Sequence, residues 1–351
     1  MKLIGLSYYE TDWKLDITTF HSVNLLVGKN ASGKSRTIAA IVKMAGFLAD
    51  KVKLRDSDVM YGTLVFQIES NSVLGYSFAW EKGRIIKEEL CYHQEKPIIS
   101  RDADSAIIKG ESINPPQDKL VAHIRRDVQR YPEIEQIMLW ASNVVSISFT
   151  SLGEPIDPYM KLPMANDYEL TKLVLSLTDE SKQEFYSLAS RVGYNITEVS
   201  AVENYPVVLY PEEGVLRRLM NVDLSTGMNR ALTILLYMVY FRQMGCPALL
   251  VVDDLCEGLD YDRSVRLGKE VYSFCEKNNI QLLATSNDAF LMDVVDINNW
   301  SVLLREGTNV KVLNRATHQT LFDDFKFTGL SNFDFFSSDY IPNYLSKHPE
   351  V

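Results

Sequence analysis

The chain has 351 residues, of which 46% are hydrophobic and 23% are charged, which is ordinary for a soluble globular protein with a large core. Its formal net charge of −10 excludes an overall basic surface for nucleic acid, although a local basic patch stays open. The longest apolar run, residues 231–241, is too short to span a bilayer, and the N-terminus turns polar too early for a signal peptide. We therefore expect a cytoplasmic protein with no membrane partner.

Cysteine and histidine spacing gives no sign of a disulfide frame or a zinc site. The five histidines are dispersed, and the four cysteines include no CxxC pair. We expect reduced thiols at Cys91, Cys246, Cys256 and Cys275.

The first part of the chain alternates β-type runs with one helix. LIGLSYY, LDITTF and VNLLV, within residues 1–27, predict short strands. Residues 35–50 have the length and the Ala, Ile and Met content of a helix. The runs YGTLVFQIES, VLGYSFAWE and IIKEELCYH, within 61–93, predict an antiparallel meander with turns at 71–72 and at Gly83.

The middle of the chain is mostly helical in pattern. From Gln117 to about Asn195 the clearest helical segments are 118–131 and 179–193, and VVSISF at 144–149 predicts a short strand between them.

The last third returns to alternating elements. An almost wholly apolar helix follows LSTG and leads into the buried-type strand PALLVVDD, 247–254. An amphipathic helix over 261–279 and the strand IQLLAT follow, and residues 299–315 predict a closing hairpin.

Residues 28–35, GKNASGKS, fit the phosphate-loop pattern GxxxxGK[ST] between a predicted strand and a predicted helix. Gly28 and Gly33 let the backbone curl so that N–H groups point at phosphate oxygens, and the helix N-terminus favours an anion. Lys34 supplies a cation for the outer phosphates, and the Ser35 hydroxyl can bind Mg²⁺. A chance glycine-rich turn is the alternative. The predicted nucleotide-binding residues are Gly28, Lys29, Asn30, Ala31, Ser32, Gly33, Lys34, Ser35 and Arg36.

Two carboxylates end the strand 247–254. In P-loop proteins an aspartate at such a position holds Mg²⁺, and Asp253 is the candidate. Asp254 is the candidate general base that polarises the attacking water, and with Lys34 it forms the predicted catalytic pair. The alternative is a strand that ends in a solvated Asp-Asp turn.

Three further segments resemble motifs of one family. LSTGM resembles the LSGGQ signature of ABC-type ATPases and stands, as in that family, before the helix that leads into the acidic strand. Asp260 matches the D-loop aspartate, and Ser286 and Asn287 lie in the segment that resembles the switch loop. The signature residues are Leu224, Ser225, Thr226, Gly227 and Met228.

The resemblance is to the SMC, RecF and OLD-type branch of ABC ATPases, in a short form without a coiled coil or nuclease domain. It implies an α/β P-loop NTPase fold, an ABC ATPase head with an antiparallel β subdomain and a helical insert. We expect a single domain, 1–351. Its expected subregions are a P-loop half (1–55), a β meander (56–115), a mainly helical insert (116–220), a signature and acidic-strand half (221–315) and a Phe-rich tail (316–351).

The resemblance implies ATP and Mg²⁺ as cofactors and a homodimer as the working state. In ABC ATPases the signature caps the γ-phosphate bound to a second subunit, so one P-loop and one signature imply a head-to-tail pair. Ser225 on a helix N-terminus makes an anion site, and Gly227 permits close approach. A plain helix N-cap at Ser225 is the alternative.

Some positions depart from the family pattern. The family usually has Glu where Asp254 stands, so hydrolysis is expected to be slow or the loop to sit closer. Many members have His where Ser286 stands, and neither Ser286 nor Asn287 can act as a cation. A Q-loop is hard to place, and Gln67 and Gln94 are the candidates.

The function implied is an ATP-binding and ATP-hydrolysing switch that regulates a separate effector, a nuclease or toxin, because the chain shows no effector module. Bacterial antiphage defence is one setting that this suggests. The alternatives are a RecF-like DNA repair ATPase and, with less support, the ATPase subunit of a membrane transporter.

The Phe-rich segment and the arginine clusters each allow two interpretations. Phenylalanines crowd residues 322–340, where they either pin the C-terminus to the core or form a docking surface. Arginine clusters at 125–131 and 216–221 either contact nucleic-acid phosphates or lie on solvated, ion-paired faces.

Overall fold

The computed structural model describes residues 1–68, 72–147, 167–203, 205, 207–215 and 219–348. The predicted turn at Asn71, the end of the predicted strand 144–149 and the arginines at 217–218 lie outside the described residues. The strands are β1 (Lys2–Glu10), β2 (Trp13–Thr19), β3 (Val23–Val27), β4 (Met60–Gln67), β5 (Val73–Glu81), β6 (Arg84–Tyr92), β7 (Ile99–Arg101), β8 (Ala106–Ile108), β9 (Glu111–Ile113), β10 (Val144–Ile147), β11 (Ser200–Ala201), β12 (Val208–Tyr210), β13 (Leu219–Met220), β14 (Leu249–Val252), β15 (Gln281–Thr285), β16 (Trp300–Glu306) and β17 (Asn309–Asn314).

The helices come mainly from the middle and the last third of the chain. They are α1 (Lys34–Leu48), α2 (Val121–Ile124), α3 (Pro132–Ser142), α4 (Asp167–Ser176), α5 (Asp179–Val192), α6 (Thr226–Met244), α7 (Tyr261–Lys277), α8 (Ala289–Val294), α9 (Gln319–Lys326), α10 (Asn332–Ser337) and α11 (Tyr340–Lys347).

Most of the strands form one long sheet, in the order β10-β14-β15-β3-β16-β17-β2-β1-β4-β5-β6-β7-β8-β9. Strands β10, β14, β15, β3 and β16 run parallel. Every residue of β3, β14 and β15 is buried, which explains why these strands read as continuous apolar runs rather than alternating ones. Parallel strands end at the same edge, so the carboxyl ends of β3, β14 and β15 lie together.

The other half of the sheet is an antiparallel meander, as the sequence predicts. In β4 buried residues alternate with half-exposed ones, the pattern of a sheet with one solvated face. The turn between β5 and β6 has Lys82 at φ 50° and Gly83 at φ 76°, and two positive φ values fit the twist of a tight hairpin.

Apolar residues pack on both faces of the sheet. One cluster joins α1 and α3 to the meander, where Phe66 meets Trp140 with ring centroids 4.7 Å apart. The other joins α5, α6 and α7 to the opposite face of the parallel strands. Residues 230–239 of helix α6 are all buried, which accounts for its apolar sequence.

The predicted helix over 118–131 is wrong for most of its length. Only Val121–Ile124 is helical. The Asp127 carboxylate accepts hydrogen bonds from the amides of Gln129 and Arg130, both at 2.9 Å, and this turn competes with the helix. Pro132 then disfavours helical geometry at the residue before it and begins α3.

The helical insert also contains strands that the sequence patterns do not reveal. Strands β11, β12 and β13 form a small separate sheet of two- and three-residue strands. Segments this short carry too few residues for a period of two to be recognised.

The tail is pinned to the core. Phe322, Phe325 and Phe335 are each at most 2% exposed and their rings pack together, whereas Phe327 is 89% exposed. This favours the first of the two interpretations of the Phe-rich segment.

Candidate nucleotide site

Residues 28–33 form a loop between β3 and α1 at the carboxyl edge of the parallel strands, and Lys34 and Ser35 begin α1. Ala31 at φ 62° and Gly33 at φ 106° turn the backbone into left-handed geometry, and the Ser32 amide donates to the Lys29 carbonyl at 3.0 Å. No side chain caps α1 at Gly33. The amides of its first turn are therefore available to an anion, and the helix dipole favours one there.

Lys34 lies beneath this loop. It is 8% exposed, and its Nζ donates to the Gly28 carbonyl at 2.6 Å. Burial lowers the pKa of Lys34, while the charges of Asp254 and Asp253 act in the opposite direction. The side chain thus places a cation between the loop and the two carboxylates.

Ser35 and Asp253 converge from α1 and the end of β14. Ser35 Oγ and Asp253 Oδ1 are 3.4 Å apart. Thr285, the last residue of β15, donates from its hydroxyl to the same Oδ1 at 2.5 Å. Because β14 and β15 are adjacent parallel strands, their ends bring these two side chains together. Thr285 was not among the predicted site residues.

Asp254 occupies a constrained turn after β14. Its φ of 51° is left-handed, which costs a non-glycine residue about 1–2 kcal/mol. Its amide donates to Thr285 Oγ1 at 2.8 Å, and its carbonyl accepts from the guanidinium of Arg230. Burial first, and then the charges of Asp253 and Glu257, raise the pKa of the Asp254 carboxyl above its ordinary value. A raised pKa makes this carboxylate a better proton acceptor.

The LSTGM segment forms the start of α6. Ser225 caps the helix by accepting from the Met228 amide at 3.3 Å, and both Ser225 and Thr226 are exposed. Gly227 is buried against Gly258 of the loop after β14: a Cβ at Gly227 would lie 2.2 Å from the Gly258 carbonyl oxygen. The capping role that the sequence leaves as an alternative is therefore present, and the exposed hydroxyls remain accessible to a second molecule.

Asp260 and the switch-loop residues occupy neighbouring helix starts. Asp260 is exposed and caps α7 by accepting from the Arg263 amide at 3.0 Å. Ser286 is 1% exposed, and its Oγ accepts from the Asp288 amide at 3.0 Å. Asn287 is exposed, so of the two predicted switch residues it is the one whose side chain is open to a ligand.

Arg36, the last of the predicted nucleotide-binding residues, is held beside the loop. Its guanidinium pairs with Glu10 at 2.6 Å and Asp12 at 2.7 Å and lies 5.2 Å above the centre of the Trp13 ring. These contacts come from the β1–β2 hairpin, which ends at the same edge as β3.

Both candidate Q-loop residues are wrongly placed for contact with this site. Gln67 pairs with Lys2, at the end of β1 opposite to the site edge. Gln94 follows β6 at that same far edge, next to the start of β5. The parallel strand β10 also ends beside Asp253, because the Asp253 amide donates to the carbonyl of Ile147, the last residue of β10. Residues 148–166, which follow β10, lie outside the described part of the chain.

The arrangement fits a triphosphate with Mg²⁺. Ser32 Oγ is buried without a hydrogen-bond partner among the described residues, and it lies inside the loop against Gly28. Within the described ranges no group of three or more His, Cys, Asp or Glu side chains could hold a metal by itself. One hydroxyl and one carboxylate are a donor set for a cation that keeps several waters and takes phosphate ligands, as Mg²⁺ does.

Three further observations bear on other sequence expectations. All four cysteines are free. The arginines of 125–131 are partly neutralised, since Arg126 pairs with Glu135 and Arg130 with Glu111. No helix in the described part of the chain is both long and apolar enough to cross a bilayer.

Comparison with solved structures identifies the class of fold. An SMC head bound to the C-winged helix domain of ScpA aligns with 89% of this chain and 98% of its own, with a TM-score of 0.57 and 12% identity. An Smc head domain with an extended coiled coil, bound to the C-terminal domain of ScpA from Pyrococcus furiosus, aligns with 92% and 99%, with a TM-score of 0.55 and 10% identity. The chain therefore has the fold of an SMC head domain. No family model and no curated protein matches its sequence.

Proposed function

We propose that this chain binds and hydrolyses ATP as an ABC-type ATPase, pairs head-to-tail with a second copy around ATP, and regulates a separate effector protein. The observation that carries the proposal is the convergence of Lys34 and Ser35 with Asp253 and Asp254 at one edge of the sheet. The SMC-head fold supports it.

Each residue has a role in this proposal. The loop amides and Lys34 hold the phosphates, and Ser35 with Asp253 would hold Mg²⁺. The metal, when bound, would neutralise charge on the phosphate oxygens. Asp254 takes the proton of the attacking water on its carboxylate, and Thr285 keeps Asp253 oriented through its hydroxyl.

Pairing of two copies is supported by exposed residues in the signature turn and at the start of α7. Ser225, Thr226 and Asp260 are exposed, although they belong to motifs expected to contact nucleotide. Tyr261, which follows Asp260, and Phe290 are 58% and 47% exposed and stack edge-to-face at 4.7 Å. A second copy would cover this aromatic pair.

A separate partner is supported by the two similar structures, because each of those SMC heads is bound to a domain of ScpA. Bacterial antiphage defence stays part of the proposal as its setting, with a nuclease or toxin as the effector. The DNA-repair alternative gains little from the described arginines, because Arg126 and Arg130 pair with carboxylates.

The proposal is tested by phosphate release from Mg²⁺-ATP by the wild type, Lys34→Ala and Asp254→Ala. We expect wild-type turnover, loss of ATP binding in Lys34→Ala, and retained binding with a loss of kcat of about 10²–10⁴-fold in Asp254→Ala. Equal phosphate release by all of them would refute ATP hydrolysis at this site.

A further inference from the structure

Arg230 is a buried cation in an apolar helix. It lies in the second turn of α6, and its side chain is 1% exposed. An arginine in this position carries a desolvation cost, so its contacts must compensate for it. Those contacts lead away from its own helix, into the loop that follows β14.

The guanidinium holds that loop at two points. Arg230 Nη1 donates to the Asp254 carbonyl, and Nη2 donates to Glu257 Oε2 at 3.0 Å. The Glu257 amide donates to the same Asp254 carbonyl at 3.0 Å. Two donors therefore converge on one carbonyl oxygen and fix the turn that begins at Asp254.

The other side of the Asp254 backbone is held by β15. Its amide donates to Thr285 Oγ1, whose proton goes to Asp253 Oδ1. Asp254 thus keeps its left-handed φ of 51° between two fixed points, one on α6 and one on β15. The direction of its carboxylate follows from this backbone geometry.

The start of α6 is also locked to the same loop by close packing. Gly227 approaches Gly258 so closely that a Cβ would lie 2.2 Å from the Gly258 carbonyl oxygen. Helix α6 and the loop after β14 therefore contact at two places, through Gly227 and through Arg230. Both contacts would carry a displacement of the Ser225 turn toward Asp254.

We propose that Arg230 is a positioning residue that links the signature helix to the Asp254 carboxylate, so that a triphosphate contact at the Ser225 turn sets the geometry of hydrolysis in the same chain. The inference rests on the proposed ATPase function. It predicts that Arg230 supports turnover rather than ATP binding, because the guanidinium holds the loop after β14 through the Asp254 carbonyl and the Glu257 carboxylate.

A double-mutant cycle tests this link. Arg230→Met, Asp254→Asn and the double variant are compared with the wild type for kcat, for the Kd of Mg²⁺-ATP and for Tm. We expect Arg230→Met to lower kcat by about tenfold to a hundredfold with the Kd changed less than about twofold. In the Asp254→Asn background Arg230→Met should cause no further loss of kcat, because its effect acts through that carboxylate.

Controls separate positioning from folding. Arg242→Met removes an exposed, ion-paired arginine at the far end of α6 and should leave kcat unchanged. If Arg230→Met does not fold, Arg230→Lys keeps the charge and loses the two-pronged contact, and a lowered kcat at unchanged Kd is again expected.

The outcomes are distinguishable. Additive losses in the cycle, or an unchanged kcat in a folded Arg230 variant, would overturn the link while ATP hydrolysis stands. A wild type that shows no Lys34-dependent hydrolysis would overturn the proposed function and, with it, this inference.

Discussion

Substituting Gly227 by alanine tests the packing of the signature turn against the loop after β14. A Cβ at this position would lie 2.2 Å from the Gly258 carbonyl oxygen and 2.7 Å from the Gly258 carbonyl carbon. The first distance is about 1.2 Å short of ordinary contact at 3.4 Å, and the groups it meets are backbone atoms that cannot rotate away. Helix α6 or the loop must therefore shift.

The expected change in the free energy of unfolding of Gly227→Ala follows from two opposed contributions. Overpacking typically costs about 1–3 kcal/mol, whereas replacing glycine by alanine within a helix contributes at most about 1 kcal/mol in the other direction. We expect a net loss of about 1–2 kcal/mol in the free energy of unfolding, and a Tm lower by a few degrees. Because the displaced loop carries Asp254, kcat should fall by more than the small loss of stability explains.

Thermal unfolding and phosphate release of Gly227→Ala measure both effects, with Thr226→Ala as the matched control for stability. Thr226 is the exposed neighbour in the same turn, so its substitution should change the free energy of unfolding by no more than about 0.5 kcal/mol. Wild-type Tm and wild-type kcat in Gly227→Ala would refute the close contact between this turn and the loop.

Three further predictions concern the site and the tail. Thr285→Val leaves the half-buried Asp254 amide without its acceptor and should cost about 1–3 kcal/mol in urea unfolding, whereas Thr285→Ser should lose much less; equal losses would contradict the hydrogen-bond account. The raised pKa of Asp254 means that this carboxyl binds a proton more tightly in the folded chain than in the unfolded chain, so its ionisation destabilises the fold as the pH rises through that pKa. Hydrolysis falls as the pH drops through the same pKa, because the base becomes protonated. Glu257→Gln removes one of the charges that raise this pKa, so the acid limb of the kcat profile should move to lower pH; an unmoved limb counts against Asp254 as the base. Phe335→Ala should cost about 3–5 kcal/mol, against no more than about 0.5 kcal/mol for Phe327→Ala, and similar values would contradict the pinned tail.

The sequence predicts the parts of the site that are contiguous in the chain. The phosphate loop, the acidic end of β14 and the capping turn of α6 each lie within a few residues, where a pattern of residue types carries the geometry. Residues that act across the fold carry no such pattern. Thr285 and Arg230 contact Asp254 from 31 and 24 residues away, and each looks in sequence like an ordinary strand or helix residue.

The fold shows the same division between local and distant determinants. The meander and the closing hairpin have clear alternation and turn residues, and both form as expected. The segment 125–131 has helical composition but ends before a proline and contains a competing aspartate turn, so tertiary context and turn chemistry override propensity. Gln67 and Gln94 fail as site residues because their strand direction, which composition does not fix, carries them to the far edge.

Head-to-tail pairing around ATP is tested most directly by mixing two inactive variants. Ser225→Asp keeps a good helix cap but places a negative charge against the partner's phosphate, with Ser225→Asn as the neutral capping control, and Lys34→Ala removes the phosphate-binding cation. In a mixed pair, one site combines the intact Lys34 of one copy with the intact Ser225 of the other. We predict that an equal mixture regains hydrolysis, to about a quarter of the wild-type rate if copies pair at random. A mixture as inactive as either variant alone would contradict the pairing.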